Sequence, residues 1–133
     1  MDFFSPVSVS KAKNMNPLVL AFVGDAVYTL YIRGMLALSS DKKVGELNKL
    51  SAQLVRASAQ AGFSDELTEE FTEEERSVFM RARNTKKGTR AKHSTVSDYN
   101  KSTGFEAVVG FLYLTGQTER LNFFMKNISE VLP

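Results

Sequence analysis

The sequence contains no cysteine and only one histidine, His93, which lies in a polar stretch. The absence of cysteine excludes disulfides, thiolate zinc sites and cysteine nucleophiles. A single histidine argues against a histidine metal cluster and against a Ser-His-Asp triad. The candidate functional residues are therefore carboxylates and basic side chains.

The first residues also lack the basic start and the long apolar run of a secretory signal. The stretch 16–38 is apolar enough to raise the question of a membrane span. It contains Asp25, Arg33 and two glycines and has no flanking stop-transfer pattern, which favours a buried helix of a soluble protein. We expect a cytoplasmic protein with no membrane partner.

No stretch alternates apolar and polar residues for long enough to predict a strand. Apolar residues recur at helical spacing instead, and a chain of 133 residues suffices for one domain but not for two. We expect an all-α helical bundle, one domain over 1–133 with a polar lead-in at 1–15. Helices are predicted at 16–38, 44–62, 72–84 and 105–114, and Thr118 should cap a final amphipathic helix.

The helix predicted at 16–38, NPLVLAFVGDAVYTLYIRGMLAL, starts with an Asn-Pro pair typical of a capped helix N-terminus. It is apolar on nearly every side, so we expect a central helix that others cover all round. Asp25, Thr29 and Arg33 follow at steps of four and form one polar stripe. Because a carboxylate there is costly unless paired, Asp25 either contacts Thr29 or Arg33, or faces a cleft and holds a metal ion.

A second apolar segment, STGFEAVVGFLYLTG, also carries one acid, Glu106. Thr103 stands three residues before it, so the pair could be a capping box that merely starts the helix. Alternatively, Asp25 and Glu106 meet where two helices cross. Two carboxylates would then form a hard oxygen site suited to Mg²⁺ or Mn²⁺.

The excess of positive charge is concentrated in one segment of the chain. The run RARNTKKGTRAK, Arg81 to Lys92, holds six of the 17 basic residues, which leaves 11 against 15 acidic ones elsewhere. No acid occurs from Arg76 to Ser97. A basic loop at 84–98 on an acidic body indicates a polyanion-binding surface, although a solvated linker would have the same composition.

Three segments together resemble the ribonuclease III family. LAFVGDAVYTLYIR is similar to its signature helix, VGELNKLSAQLVRASAQA to the Gly-Glu-Leu segment that follows, and TGFEAVVGFLYLTG to its second metal-binding helix. The resemblance spans 16–116 with the motifs in the family's order. We expect the stand-alone form of the catalytic domain, Mini-ribonuclease III, without a double-stranded-RNA-binding domain, and the basic loop resembles that group's own insertion.

The resemblance implies roles for matching residues only. Asp25 and Glu106 match metal-ligating acids required for cleavage, and Glu46 matches a glutamate near the catalytic valley. The family's two other metal-binding acids would stand where this chain has Ala21 and Thr103. Half of the usual set of metal-binding carboxylates is therefore missing, and the number of bound metal ions, one or two, stays open. Glu46 and Thr103 are candidates for supporting roles around the ligands.

The activity implied is cleavage of double-stranded RNA by a Mg²⁺-dependent endoribonuclease, with Mn²⁺ as a substitute, leaving 5′-phosphate and 3′-hydroxyl ends. The family acts as a homodimer through the central helix, and the Mini group suggests large-subunit ribosomal RNA precursors as substrate. A non-catalytic RNA-binding or ribosome-associated relative is the alternative, and a helical DNA-binding module is a weaker one because the basic residues cluster in a loop. The residues expected to contact RNA are Arg81, Arg83, Asn84, Lys86, Lys87, Arg90 and Lys92.

Overall fold

The computed structural model describes residues 3–88 and 95–131, and within these ranges the regular elements are all helical. The all-α prediction is confirmed. The helices are α1 Val9–Lys13, α2 Pro17–Ser39, α3 Val44–Val55, α4 Ala57–Leu67, α5 Glu73–Asn84, α6 Val96–Leu114 and α7 Thr118–Val131, with a 3₁₀ turn at Thr68–Glu70 between α4 and α5. Their apolar faces share one hydrophobic core.

The buried central helix of the bundle is α6. Every residue from Ser102 to Leu112 is buried except Glu106. Helices α1, α2, α4, α5 and α7 all pack against α6. These five helices therefore take their positions from α6, and Glu106 is the one interruption of its buried stretch.

Helix α2 is half-buried, and the expectation that it would be covered all round is wrong for the single chain. Its buried face follows a four-residue repeat through Leu20, Gly24, Tyr28 and Ile32. The opposite face carries exposed apolar residues, Val19, Phe22 and Leu30 among them. By length and hydropathy α2 could cross a membrane, but its buried stripe is packed against α6.

Helix α6 begins at Val96, nine residues before the predicted start at Phe105. Thr95 caps it by accepting a hydrogen bond from a backbone N–H in the first turn. The hydroxyl of Thr103 donates to the Tyr99 carbonyl oxygen one turn earlier, which satisfies a buried polar group within the helix. Thr103 is thus mid-helix, and the capping-box interpretation of Thr103 and Glu106 is wrong.

Other boundaries differ less from the prediction. The helix expected over 44–62 is broken at Arg56, whose extended backbone separates α3 from α4. The lead-in contains the short helix α1, and Thr118 is the first residue of α7 rather than its cap. Helix α5 includes Asn84 and α6 begins at Val96, so the basic loop predicted at 84–98 is helical at both ends, and its residues 89–94 lie outside the described ranges.

Helix α5 begins with a capping box. Thr72 accepts from the Glu75 backbone N–H, and the Glu75 side chain accepts from the Thr72 N–H. Glu75 also pairs with Arg120 of α7, with 2.8 Å between Nε and Oε2. Helix α5 ends at Asn84, as predicted, and the basic loop therefore starts beside α6.

Candidate active site

Helices α2 and α6 touch backbone to backbone where their two glycines meet. A Cβ atom added to Gly24 would overlap the carbonyl oxygen of Glu106, and one added to Gly110 would overlap the carbonyl oxygen of Leu20. Only glycine permits such an approach. Because Asp25 directly follows Gly24, this contact brings its side chain beside that of Glu106.

The carboxyl groups of Asp25 and Glu106 are close enough for Asp25 to influence the ionisation of Glu106. Asp25 is exposed, whereas Glu106 is partly buried. Burial, then the adjacent Asp25 carboxylate, raises the pKa of Glu106 to about 9, and a hydrogen bond from Gln60 opposes the rise. In the metal-free chain the pair therefore shares a site that disfavours two negative charges.

The structural alternative for Asp25 does not occur in the described part of the chain. There, Asp25 forms no ion pair with Arg33, which is itself exposed. No side-chain hydrogen bond joins Asp25 to Thr29 in the same ranges. The carboxylate of Asp25 is left facing a cleft.

This cleft has a volume of about 310 Å³ and opens between α2, α6 and the start of the basic loop. Ala21 and Thr103 stand on its wall, four residues before Asp25 and three before Glu106. The lining residues are Leu18, Ala21, Phe22, Asp25, Lys87, Gly88, Tyr99, Thr103 and Glu106.

The donor set fits one hard divalent cation. Among residues 3–88 and 95–131, no group of three or more Asp, Glu, His or Cys side chains forms a possible metal cluster, so Asp25 and Glu106 are the protein carboxylates available in the cleft. Mg²⁺ is commonly bound through one or two carboxylates, with water and substrate phosphate completing its shell. A cation between the two carboxylates would also relieve their mutual repulsion.

Glu46 lies away from this cleft wall. It is exposed in the first turn of α3, with its carboxylate 3.9 Å from the ammonium of Lys42. It is not among the residues that line the cleft. Thr103, the other candidate for a supporting role, lies on the wall beside Glu106.

Two of the basic residues are bound within the protein. The Arg81 guanidinium donates to the backbone carbonyls of Lys13 and Met15 and ties α5 to the lead-in. Lys87 donates from Nζ to three backbone carbonyls at the end of α5, at 2.7 to 3.1 Å. Burial lowers the pKa of Lys87. Since an ammonium has three N–H donors, Lys87 offers the cleft its charge rather than a free N–H.

The structure also describes Arg83 and Lys86. Arg83 donates to the side chain of Asn84, and Lys86 is exposed. Both border a second cleft of about 610 Å³, which also includes Asn84 and Tyr99. Arg90 and Lys92 lie outside the described residues.

Sequence reasoning missed Gln60, which is 2% exposed and donates to Glu106. It also missed Tyr99 and Phe22 on the cleft wall. The one available signal was a glutamine inside the small, apolar run ASAQA, where a polar side chain needs a partner if it is buried.

Comparison with known proteins places these features in a family. The ribonuclease III domain family matches residues 18–117. Mini-ribonuclease 3 of Clostridium tetani is 48% identical over 115 residues, covering 86% of this chain and 76% of that protein. Mini-ribonuclease 3 of Staphylococcus aureus is 40% identical over 122 residues, covering 90% and 91%.

A crystal structure of a Fusobacterium nucleatum protein has a similar fold, with a TM-score of 0.81 and 29% identity, over 88% of this chain and 93% of that one. The family match covers both α2 and α6 and thus both carboxylates of the cleft. The chain therefore belongs to the ribonuclease III family, within its Mini-ribonuclease III group, and is an endoribonuclease.

Proposed function

We propose that this chain is a single catalytic domain that cleaves double-stranded RNA at the Asp25–Glu106 pair in a Mg²⁺-dependent reaction, with Mn²⁺ as a substitute. The observation that carries the proposal is the adjacency of these carboxylates in an open cleft, one on each of two helices held together by glycines. The products are a 5′-phosphate and a 3′-hydroxyl, as the family resemblance implies.

The two carboxylates hold the metal ion in this proposal. Asp25 supplies an exposed oxygen ligand from α2, and Glu106 supplies a half-buried one from the buried centre of α6. When bound, Mg²⁺ contributes positive charge that stabilises the negative charge developing on the scissile phosphate. Lys87 adds a second positive charge at the cleft wall, fixed by its backbone carbonyl partners.

The basic loop binds the RNA backbone. Duplex RNA is recognised mainly by shape, through phosphate and 2′-hydroxyl contacts across the shallow minor groove. Arg83 and Lys86 border the cleft adjoining the catalytic one and are candidates for phosphate contacts. Arg90 and Lys92 follow in the same loop and are proposed on sequence alone, whereas Arg81 contributes mainly by holding α5 against the lead-in.

A homodimer accounts for the apolar face that α2 leaves exposed. Phe22 is 80% exposed and Leu30 54% exposed on this face. Apolar patches of this kind mark interfaces, and a two-fold interface would pair two catalytic clefts, one for each RNA strand. Phe22 also lines the catalytic cleft, so a partner that covers α2 would border the cleft directly.

The proposed substrate is a large-subunit ribosomal RNA precursor, processed in the cytoplasm. This assignment is supported by the resemblance to the Mini group. The alternative, a non-catalytic RNA-binding or ribosome-associated relative, is disfavoured by family membership and by retention of both carboxylates in an open cleft. Such a protein would gain nothing from a crowded acidic pair that disfavours RNA phosphate.

The deciding experiment incubates the protein with duplex RNA, with and without Mg²⁺, beside the Asp25→Asn variant. We expect Mg²⁺-dependent cleavage by the wild type, 5′-phosphate ends, and no cleavage by the variant. Binding of duplex RNA without cleavage at any Mg²⁺ or Mn²⁺ concentration would instead support the non-catalytic alternative. A precursor of large-subunit ribosomal RNA and an unrelated duplex of equal length, compared in the same assay, test the proposed substrate.

A further inference from the structure

The junction between α3 and α4 is connected to the catalytic pair through one buried side chain, Gln60. Arg56 breaks the helix, so the last carbonyls of α3 lack helical partners. Two buried side chains supply donors instead. The Tyr28 hydroxyl donates to the Leu54 carbonyl at 2.8 Å, and Gln60 Nε2 donates to the Val55 carbonyl at 2.7 Å.

The second N–H of Gln60 is directed to the active site. Nε2 lies 3.4 Å from Oε2 of Glu106, within hydrogen-bond distance. The amide therefore presents its donor end to two acceptors, the Val55 carbonyl and the Glu106 carboxylate. The opposite orientation would place its oxygen against both, so the two contacts select one amide orientation.

This orientation places the acceptor oxygen of Gln60 in an unfavourable buried position. Within the described part of the chain, Oε1 of Gln60 is buried and has no hydrogen-bond partner. Burying an unpaired carbonyl is unfavourable. A residue whose only task was to pack there could be apolar, whereas the amide provides donors that an apolar side chain lacks. The contact to Glu106 gives a reason for a glutamine at this position.

We infer that Gln60 is a positioning residue for Glu106, which it holds through Nε2 so that the carboxylate is correctly oriented for a divalent cation beside Asp25. This inference rests on the proposed function. Partners that hydrogen-bond a metal ligand orient it, and their loss typically weakens metal binding about 10- to 100-fold. Gln60 itself is not assigned to the substrate or to the metal.

The test measures metal binding directly. Mn²⁺ is titrated into the full-length protein and free Mn²⁺ is followed by electron paramagnetic resonance. Gln60→Leu, which keeps the bulk but has no donor, should weaken Mn²⁺ binding about 10- to 100-fold. In cleavage assays the same variant should need correspondingly more Mg²⁺, with turnover recovering at high Mg²⁺ and with unchanged RNA affinity.

Tyr28→Phe is the matched control. It removes the neighbouring hydrogen bond at the same helix end, from a side chain that is also fully buried, but it has no hydrogen bond to Glu106 within the described residues. Both variants should lose thermal stability, and only Gln60→Leu should lose Mn²⁺ affinity. Gln60→Met, of similar length and greater flexibility, serves if Gln60→Leu does not fold.

Two results would overturn the inference. One is wild-type Mn²⁺ affinity in both Gln60 variants. The other is equal weakening in Tyr28→Phe, which would assign the effect to the junction and not to Glu106. The proposed function fails differently: if neither wild type nor variants bind Mn²⁺ or cleave RNA, the metal site itself is wrong, and the role of Gln60 falls with it.

Discussion

Gly24 and Gly110 face each other across the contact between α2 and α6. A Cβ on Gly24 would lie 2.8 Å from the Gly110 backbone nitrogen, and one on Gly110 would lie 3.0 Å from the Gly24 nitrogen. Neither backbone has room for a methyl group. This reciprocal contact sets the distance between the helices and, with it, the separation of the Asp25 and Glu106 carboxylates.

Replacing Gly24 by alanine should force the two helices apart. The clash is with backbone rather than a flexible side chain, so we expect a loss of about 3 kcal/mol or more in the free energy of unfolding. Urea denaturation measures the loss. Gly34→Ala is the control, since its added Cβ meets nothing within 4 Å and should stabilise α2 by up to about 1 kcal/mol. Equal effects of both substitutions would contradict the role of the close contact.

Replacing Asp25 by asparagine should abolish cleavage without destabilising the metal-free protein. The substitution removes the negative charge that disfavours ionisation of Glu106, so the melting temperature should stay the same or rise slightly. Asp41→Asn, which neutralises an exposed acid, should keep full activity. A loss of about 3–5 kcal/mol in the variant would show that Asp25 neutralises a buried partner instead.

The stability of the metal-free protein should fall as pH rises, because of Glu106. Its pKa is raised from 4.5 to about 9 on folding, so between these values the unfolded state releases a proton that the folded state keeps. The contribution is fully present below pH 4.5 and is lost towards pH 9, by at most about 1.4 kcal/mol per pH unit.

Urea denaturation of wild type and Glu106→Gln between pH 5 and 8.5 isolates this contribution. The difference in unfolding free energy between the two proteins should change with pH in favour of the variant. Saturating Mg²⁺ should reduce the dependence by favouring the ionised carboxylate. Parallel curves for the two proteins would contradict the assignment to Glu106.

Neutralising Arg83 and Lys86 should weaken RNA binding with little effect on stability. Each lost phosphate contact should reduce the slope of log affinity against log salt by about 0.7–0.9 if duplex RNA resembles DNA. Turnover at saturating RNA and Mg²⁺ should change far less than affinity. Lys126→Gln on α7 controls for net charge. Arg81→Gln should mainly lower stability, because the carbonyls of Lys13 and Met15 lose their hydrogen-bond donor. An unchanged salt slope in the double variant would identify the loop as a linker.

Replacing Leu30 by glutamate should convert a dimer into a monomer. Leu30 is exposed on the apolar face of α2. In a two-fold interface the substitution would bury two like charges, one from each chain. Sedimentation at micromolar concentration should show a dimer for the wild type and one 14.8 kDa species for the variant. Asn48→Glu, on the exposed surface of α3, is the control. A wild type that sediments as an active monomer would exclude the dimer.

The sequence alone determined the features that depend on neighbouring residues. The Thr72–Glu75 capping box and the end of α5 at Asn84 follow from contacts within a few positions. The lack of strands follows from hydrophobic spacing, which is also local. Both carboxylates were recognised as lone acids in apolar segments, and the family resemblance of those segments implied their role as metal ligands.

Tertiary structure alone decided which helix is central and how the site is assembled. Two segments of similar apolarity became a half-exposed α2 and a fully surrounded α6, because burial depends on which helices pack together rather than on composition. The contact of Asp25 with Glu106 and the hydrogen bond from Gln60 to Glu106 join residues that lie far apart in the sequence. Contacts between residues far apart in the sequence depend on how the helices pack, and the local sequence pattern does not encode that packing.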